Sequence, residues 1–532
     1  MASQSFVSNA SNTKASFDLT SGTTIAASAN QSTLAISYDA ATQSYTVTTG
    51  ASEMQTFGPA DKVSPSIRGE TQFSKPGDSS RSHLTIVTIP YLTQQPNRFV
   101  ALGYWQRDQL SSQRQDLSLD IFTFGLTTAA AAVPRIGTAN YAIDVFGFLT
   151  NPTGRPVTLQ ATGTFDLDFG AGAFLARTDM RPFDTATGTN GYSGIFPLLL
   201  GGHIGSGGSF SGTASFRYLS VQLAGSSDGR FYGPNADELG ATFSATSADG
   251  ASLIGGFTGV LGTGGATQNL TLINITRAQE LSAVYGEVFT STNALGHTEV
   301  LTYTDASIVN LAVSGSMTYI PSGSPHRTAG FDPTNETAGP VNFTSYHTVV
   351  DGKPIDLSLY KPGDGNSELR LTYSSFGIWK QVGNDANSSD TYQQFFTYGI
   401  MTPTGATIRR TGSAHYAGIA YGAAIDPATL ERYTLKGTSA FDVDFSSQNY
   451  SGNLALQSTP QGSATPRNIG QMSFSGALGT SGPESGALTQ SGANVGQIAL
   501  RFYGPNAEEV GASFTARANS LTMAGVAAAL AQ

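Results

Sequence analysis

The 532-residue chain contains no cysteine, which removes thiol catalysis, zinc–cysteine sites and disulfides together. The lack does not fix a compartment, because a large secreted protein folds without bridges. Charge is scarce as well. Only 12% of residues are charged, against about 25% in ordinary soluble domains. The 27 basic residues are outnumbered by 37 acidic ones, for a net charge of -10. A surface of that sign argues against binding nucleic acid, which needs cations to displace counterions, and against docking on anionic lipid. No window reaches the roughly 20 unbroken apolar residues of a membrane helix; the longest run, Met523 to Leu530, falls far short. The opening Met-Ala-Ser-Gln-Ser has neither the charged region nor the apolar core of a signal peptide. That leaves a cytoplasmic protein or a leader already removed, and the second is favoured by the resemblance described below.

What the chain does have is glycine (62), phenylalanine (30), tyrosine (21) and a 39% apolar share. That apolar mass separates it from disordered sequences of similar polarity. Many aromatics with many glycines suit strands joined by tight turns. The segment Arg230-Phe-Tyr-Gly-Pro-Asn-Ala-Asp-Glu-Leu-Gly240 recurs as Arg501-Phe-Tyr-Gly-Pro-Asn-Ala-Glu-Glu-Val-Gly511. Further pairs keep the same order. Gly103-Tyr-Trp105 answers Gly377-Ile-Trp379, the only two tryptophans, and Phe122-Thr-Phe-Gly125 answers Phe396-Thr-Tyr-Gly399. Arg135-Ile-Gly-Thr-Ala-Asn-Tyr141 answers Arg410-Thr-Gly-Ser-Ala-His-Tyr416, and Phe165-Asp-Leu-Asp-Phe169 answers Phe441-Asp-Val-Asp-Phe445. The chain is an internal duplication whose junction falls near residues 262–282. The front parts, 1–95 and 276–368, are less alike and share mainly Lys75-Pro-Gly-Asp and Lys361-Pro-Gly-Asp.

Alternating runs such as Ala139 to Gly147 and Thr162 to Phe169, separated by a turn rich in Pro, Gly and Asn, predict antiparallel strands in a meander, sandwich or barrel. Alternation with one polar face favours a barrel with one side in water. The expected fold class is all-β. In the repeated hairpin, Gly233 and Gly504 supply unusual dihedrals, Pro234 and Pro505 preset φ, and Asn235 and Asn506 tolerate the left-handed region. A short helical turn is expected next, before Gly240 or Gly511 releases the final strand. Phe231, Tyr232, Phe502 and Tyr503 anchor the turn in the core. On these grounds the motif is structural.

The hairpin, the Trp-bearing strand and the Arg-x-Gly-x-Ala-x-Tyr strand resemble transferrin-binding protein B and related surface lipoproteins. The resemblance implies two lobes, each a mostly-β handle domain beside an eight-stranded antiparallel barrel. The implied boundaries are 1–95 for the anchor peptide and first handle, 96–265 for the first barrel, 276–368 for the second handle and 369–532 for the second barrel. It implies display on the outer membrane through a lipidated cysteine, with Met1-Ala2 standing in its place and Ser3 to Thr13 serving as a flexible anchor peptide. The implied role is capture of an iron source, host protein or other nutrient for a TonB-dependent outer-membrane transporter. Two features depart from the transferrin binders: their second-lobe disulfides and long charged insertions are missing here, which points to a related member serving another transporter. A haem-binding scavenger and a structural or adhesive surface protein are the alternatives.

No catalytic constellation stands out, and neither a metal nor a cofactor is expected. His83, His203, His297, His326, His347 and His415 show no zinc spacing, although His203 and His415 are conceivable haem ligands. Asp166 with Asp168, and Asp442 with Asp444, each share one strand face and are expected to be solvated. Binding is better placed on loops. The segment 177–208 carries interface-type residues, with Arg177, Met180, Arg181, Phe183, Tyr192 and Phe196 as contact candidates. The competing reading buries Ile195 to Leu200 in a strand. A second candidate is the polar stretch Gln106 to Asp120.

Overall fold

The computed structural model describes residues 2–532 except 65–67, 153, 185–193, 323–326, 386–387, 404–411 and 480–483. The described residues form strands and three 3-10 turns, with no α-helix among them. Two compact units result, Met1–Thr267 and Gln268–Gln532. Each holds one open sheet and one closed eight-stranded barrel.

In the first unit the open sheet is built from β1 (Gln4–Asp18), β2 (Thr24–Asp39), β3 (Ser44–Thr49), β4 (Met54–Phe57), β5 (Glu70–Pro76), β6 (Ser80–Val87), β7 (Val100–Leu110) and β8 (Arg114–Gly125), in the order β4-β3-β2-β1-β8-β7-β6-β5. The barrel follows as β9 (Thr138–Thr150), β10 (Val157–Asp168), β11 (Ala173–Asp184), β12 (Phe196–Ile204), β13 (Ser209–Tyr218), β14 (Val221–Tyr232), β15 (Glu238–Thr246) and β16 (Ser252–Leu261), closed by β16 on β9. The second unit repeats this plan. A nine-stranded sheet is centred on Gln279–Asn293 and Ser388–Gly399, and a barrel runs from Ser413–Ile425 to Leu521–Ala531.

The handles are therefore longer than expected. Residues 100–125 and 374–399, placed in the barrels by their strong repetition, belong to the open sheets, so the boundaries at 96 and 369 move to about 126–137 and 400–412. Repetition reports shared framework, and these strands recur because they floor both handles. Each opposes its glycine to a ring: a Cβ on Gly103 or Gly377 would overlap Phe122 or Phe396. The expected anchor peptide is corrected too. Ser3 to Thr13 leads into and lies largely within β1, a central strand paired with β2 and β8. Its Ser8, Ala10, Ser11 and Thr13 are buried, and Ser11 Oγ donates to the Gly255 carbonyl of the barrel (3.0 Å).

Handle and barrel share an apolar seam within each unit. In the first, Phe148 and Ile254 from the outside of the barrel meet Phe17, Leu117, Leu119 and Ile121 from the sheet. In β9, Tyr141, Ile143, Val145 and Leu149 fill the barrel interior, while Phe146 and Phe148 point the other way, to the handle. Both faces of that strand are buried, which is why its apolar run is nearly continuous.

The repeated hairpin lies at this seam. It joins β14 to β15, the sixth and seventh barrel strands, and one further strand closes the barrel. No helical turn follows. Gly233 (φ 86°) and Gly504 (φ 86°) are left-handed as expected, but the second left-handed residue is Ala236 (φ 58°) or Ala507 (φ 56°), not the asparagine. The carbonyls of those alanines accept from the buried hydroxyls of Tyr141 (2.6 Å) and Tyr416 (2.7 Å), so two repeated motifs meet. The glutamate after the turn is the first residue of the next strand and a clamp on the handle. Glu238 accepts the backbone N–H groups of Arg98, Phe99 and Val100 (2.7, 2.8 and 3.0 Å). Glu509 accepts those of Thr372, Tyr373 and Ser374 (2.6, 3.1 and 2.7 Å) together with the Ser374 hydroxyl (2.6 Å). Burial pushes the Glu509 carboxyl up to about 7 against these donors.

Candidate functional site

The first set of contact candidates comes apart in the structure. Alternation along β11 turns Met180 into the barrel core while Arg177 and Arg181 are exposed and Phe183 is half-buried. Phe196 is also in the core, its ring 4.6 Å from that of Tyr218. Tyr192 lies outside the described residues. Of the five described candidates, Arg177, Arg181 and Phe183 remain accessible, on the outer wall of the barrel.

The aspartate pairs differ between the lobes. Asp442 and Asp444 are exposed as expected, with His415 Nδ1 2.7 Å from Asp442 Oδ1. Asp166 and Asp168 are instead buried. Residues 262–267 pass over them: Thr267 donates to Asp166 from its backbone N–H (2.7 Å) and hydroxyl (2.6 Å), and Asn140 Nδ2 adds a third bond (2.9 Å). No group of three His, Asp or Glu side chains suited to a metal occurs among the described residues.

The second candidate stretch does line a concavity. The first handle sheet curls, and the β7–β8 hairpin, the β3–β4 turn and the β5–β6 turn rim a cup of about 790 Å³ at one end of it. Residues toward the closed end of the inner face are apolar, with Leu34, Val47, Phe73, Leu84 and Phe122 in one cluster. Toward the mouth they become Lys14, Ser28, Gln55, Lys75, Ser82 and Ser118. Between the two zones sits Arg107. Its guanidinium lies 3.9 Å over the Trp105 ring, and that indole donates to Ser82 Oγ (3.0 Å). Arg107 pairs with Asp120, donates to Ser118 Oγ (2.7 Å) and stands 3.3 Å from Glu53. Asn12 Nδ2 donates to the same Asp120 (2.9 Å). Burial raises the Asp120 carboxyl, and the Arg107 charge opposes that rise. The result is a fixed polar floor with an aromatic backing, open to water.

Register makes the comparison with the second lobe residue by residue. Trp105 opposes Asp120 as Trp379 opposes Gln394, and Asn12 opposes Asp120 as Glu287 opposes Gln394. Arg107 and Asp120 thus answer to Gln381 and Gln394, while Lys14, Ser28 and Ser118 answer to Phe289, Leu301 and Tyr392. Phe289 is stacked between Tyr303 (5.5 Å) and Tyr392 (5.4 Å). Tyr319 stacks on Phe396 (4.2 Å) and donates to Gln394 (2.9 Å), and the backbone N–H of Arg327 reaches Gln381 (3.1 Å). The second lobe thus places aromatic rings and backbone where the first has small or charged groups. Arg107 falls within the second candidate stretch, Gln106 to Asp120, while Lys14 lies outside both. The signal for Lys14 is the charge at a position where the otherwise similar second lobe has Phe289.

The residues 155–261 and 403–530 match the family described as C-lobe and N-lobe beta barrels of Tf-binding protein B. Among solved structures, the chain is similar to a double mutant of transferrin binding protein B from Haemophilus parasuis, at 16% identity over 84% of this chain and 85% of that one, with a TM-score of 0.28. It is also similar to the isotype 1 transferrin binding protein B of Neisseria meningitidis (17%, 86% of each chain, TM-score 0.24). A third is the N-lobe domain of lactoferrin binding protein B from Moraxella bovis (14%, 36% of this chain, 80% of that one, TM-score 0.21). No curated protein matches the sequence.

Proposed function

We propose, from the premise that both barrels make this chain a transferrin-binding protein B-like protein, that it is a surface-displayed lipoprotein that captures a ligand in the cup of its first handle. The captured nutrient, an iron source or host protein, is then passed to a TonB-dependent outer-membrane transporter. The observation that carries this reading is the contrast between matched positions: the Lys14, Ser28 and Ser118 positions are kept small or charged around an open cup, while the second lobe fills them with Phe289, Leu301 and Tyr392. A rigid sheet with a preset Arg107–Asp120 pair presents polar contacts without reorganising, which favours binding. The aromatic and Arg pairing at Trp105 and Arg107 is of the kind that anchors interfaces.

The test uses the full chain and a Ser28→Trp variant, which plugs the cup from an exposed strand position. Both are used as bait against outer-membrane extract and against host serum. The reading expects a transporter with both baits and a ligand with the wild type only. A ligand retained by the plugged variant, or no transporter with either bait, contradicts it.

A further inference from the structure

A second concavity in the first lobe lies between the handle sheet and the barrel wall, and Leu117 lines both it and the cup. Its volume is about 600 Å³, within the range of small-molecule sites. The floor is Phe17, Leu117 and Leu119 from the sheet and Phe148 from β9, and the Tyr104 and Phe146 rings pack at its side, 4.6 Å apart. Its mouth carries His83, Gln106, Gln115 and Arg155. Thr24 N–H donates to the Gly154 carbonyl (3.1 Å), which brings the β1–β2 turn against the β9–β10 turn that bears Arg155. The other charged group there, Asp18, is engaged by the N–H groups of Thr20 and Ser21 (2.8 Å each). Arg155 is exposed and makes no ion pair or hydrogen bond among the described residues.

The matched positions of the second lobe indicate that this lining is more than handle–barrel packing. By strand register, Phe17, Leu117, Leu119 and Phe148 answer to Thr292, Thr391, Gln393 and Ala423. The second lobe packs its handle on its barrel without those apolar groups, through Val288, Phe376, Phe395, Ala524 and Val526. The matching turn, residues 426–431, has Asp426 and Glu431 and no basic residue. Arg432 just beyond it is turned to Thr290 Oγ1 (3.0 Å). An apolar floor and an unpaired cation occur together in one lobe and are both absent from its twin.

We infer that this cleft binds an amphipathic monocarboxylate, its apolar body on the Phe17–Leu119–Phe148 floor and its carboxylate at Arg155. The charge sets the choice: a guanidinium matches a carboxylate in bidentate geometry, and apolar burial of the body supplies the rest. The proposed ligand contacts Phe17, Phe148 and Arg155, none of which lines the cup.

Dodecanoate titrated into the full chain by calorimetry tests the inference, with dodecyltrimethylammonium as its cationic counterpart. One equivalent of dodecanoate is expected to bind at micromolar concentration, with the cation at least tenfold weaker. Arg155→Glu, at an exposed turn position, is expected to weaken dodecanoate at least tenfold and to remove the preference for the anion. Leu117→Thr, the second-lobe residue, is expected to weaken both probes alike, with a thermal scan showing that the chain remains folded. The inference is overturned if dodecanoate fails to bind the wild type, if both amphiphiles bind equally, or if Arg155→Glu leaves the dodecanoate affinity unchanged.

Discussion

Replacing Glu509 with alanine probes the joint between handle and barrel in the second lobe. The carboxylate is buried and accepts three backbone N–H groups and one hydroxyl, from Thr372, Tyr373 and Ser374. Removing the acceptor leaves four buried donors unsatisfied, each costing about 1–3 kcal/mol. Taking the low end for every donor, because water enters part of the gap, gives a loss of about 4 kcal/mol. Glu509→Gln keeps one acceptor oxygen, so a loss of about 2 kcal/mol is expected on the same scale. The two variants also separate in pH. Burial puts the folded carboxyl near 7, above its ordinary 4.5. Folding therefore takes up a proton between those values, and the favourable contribution is complete below pH 4.5 and lost as pH rises through 7. Urea unfolding of the full chain at pH 5, 6, 7 and 8 should show this decline in the wild type and a shallower one in Glu509→Gln, where the buried Glu287 carboxyl, also raised to about 7, still contributes. Hydrogen exchange at Thr372, Tyr373 and Ser374 locates the effect. A loss under 1 kcal/mol in Glu509→Ala, with those amides still protected, would refute the clamp.

Other outcomes can be checked with single variants. Tyr141→Phe and Tyr416→Phe each remove a buried hydroxyl donor to the hairpin alanine carbonyl, and each is expected to lower stability by about 1 kcal/mol in urea titrations. Gly103→Ala places a methyl group into the Phe122 ring, and a loss of about 1–3 kcal/mol is expected from this overpacking. Asp120→Asn leaves Arg107 buried beside a neutral partner, so a loss of about 3 kcal/mol is expected, with the indole fluorescence of Trp105 changing as the guanidinium above it shifts. In the second lobe, Tyr392→Ser and Phe289→Lys introduce the first-lobe residues and should open a cup there, detectable as increased hydrogen exchange across Thr298–Leu311.

Much of the architecture is readable in the sequence because the duplication is. The hairpin, the two tryptophans and the Phe-Asp-x-Asp-Phe strands align before any strand is assigned, and alternation marks β9 and β10 directly. The errors have physical sources. Strand β1 looks like a tether in sequence because its buried positions are Ser8, Ala10, Ser11 and Thr13, small residues that pack closely against other strands but produce no hydrophobic period. The handle–barrel boundary is displaced in sequence because β7 and β8 repeat as strongly as the barrel strands. Asp166 was expected in water, yet its cover comes from Thr267, a residue about a hundred positions away. Among the site residues, the stretch Gln106–Asp120 was visible as polar sequence. The cup also needs Lys14, Ser28 and Gln55 from strands brought together only by the curl of the sheet. Met180 and Phe196 show the reverse case, in which interface-type residues are core residues of a barrel.

The central claim is that the first lobe captures ligand through its cup while the matched region of the second lobe is filled. A photo-crosslinking residue at Ser28, and in a separate chain at the register-equivalent Leu301, measures this most directly. Both chains are anchored on the cell surface and exposed to the nutrient source. The account predicts a ligand adduct from position 28, lost when Lys14→Glu reverses the charge at the mouth, and none from position 301. Equal adducts from both positions, or adducts from position 301 alone, would contradict it.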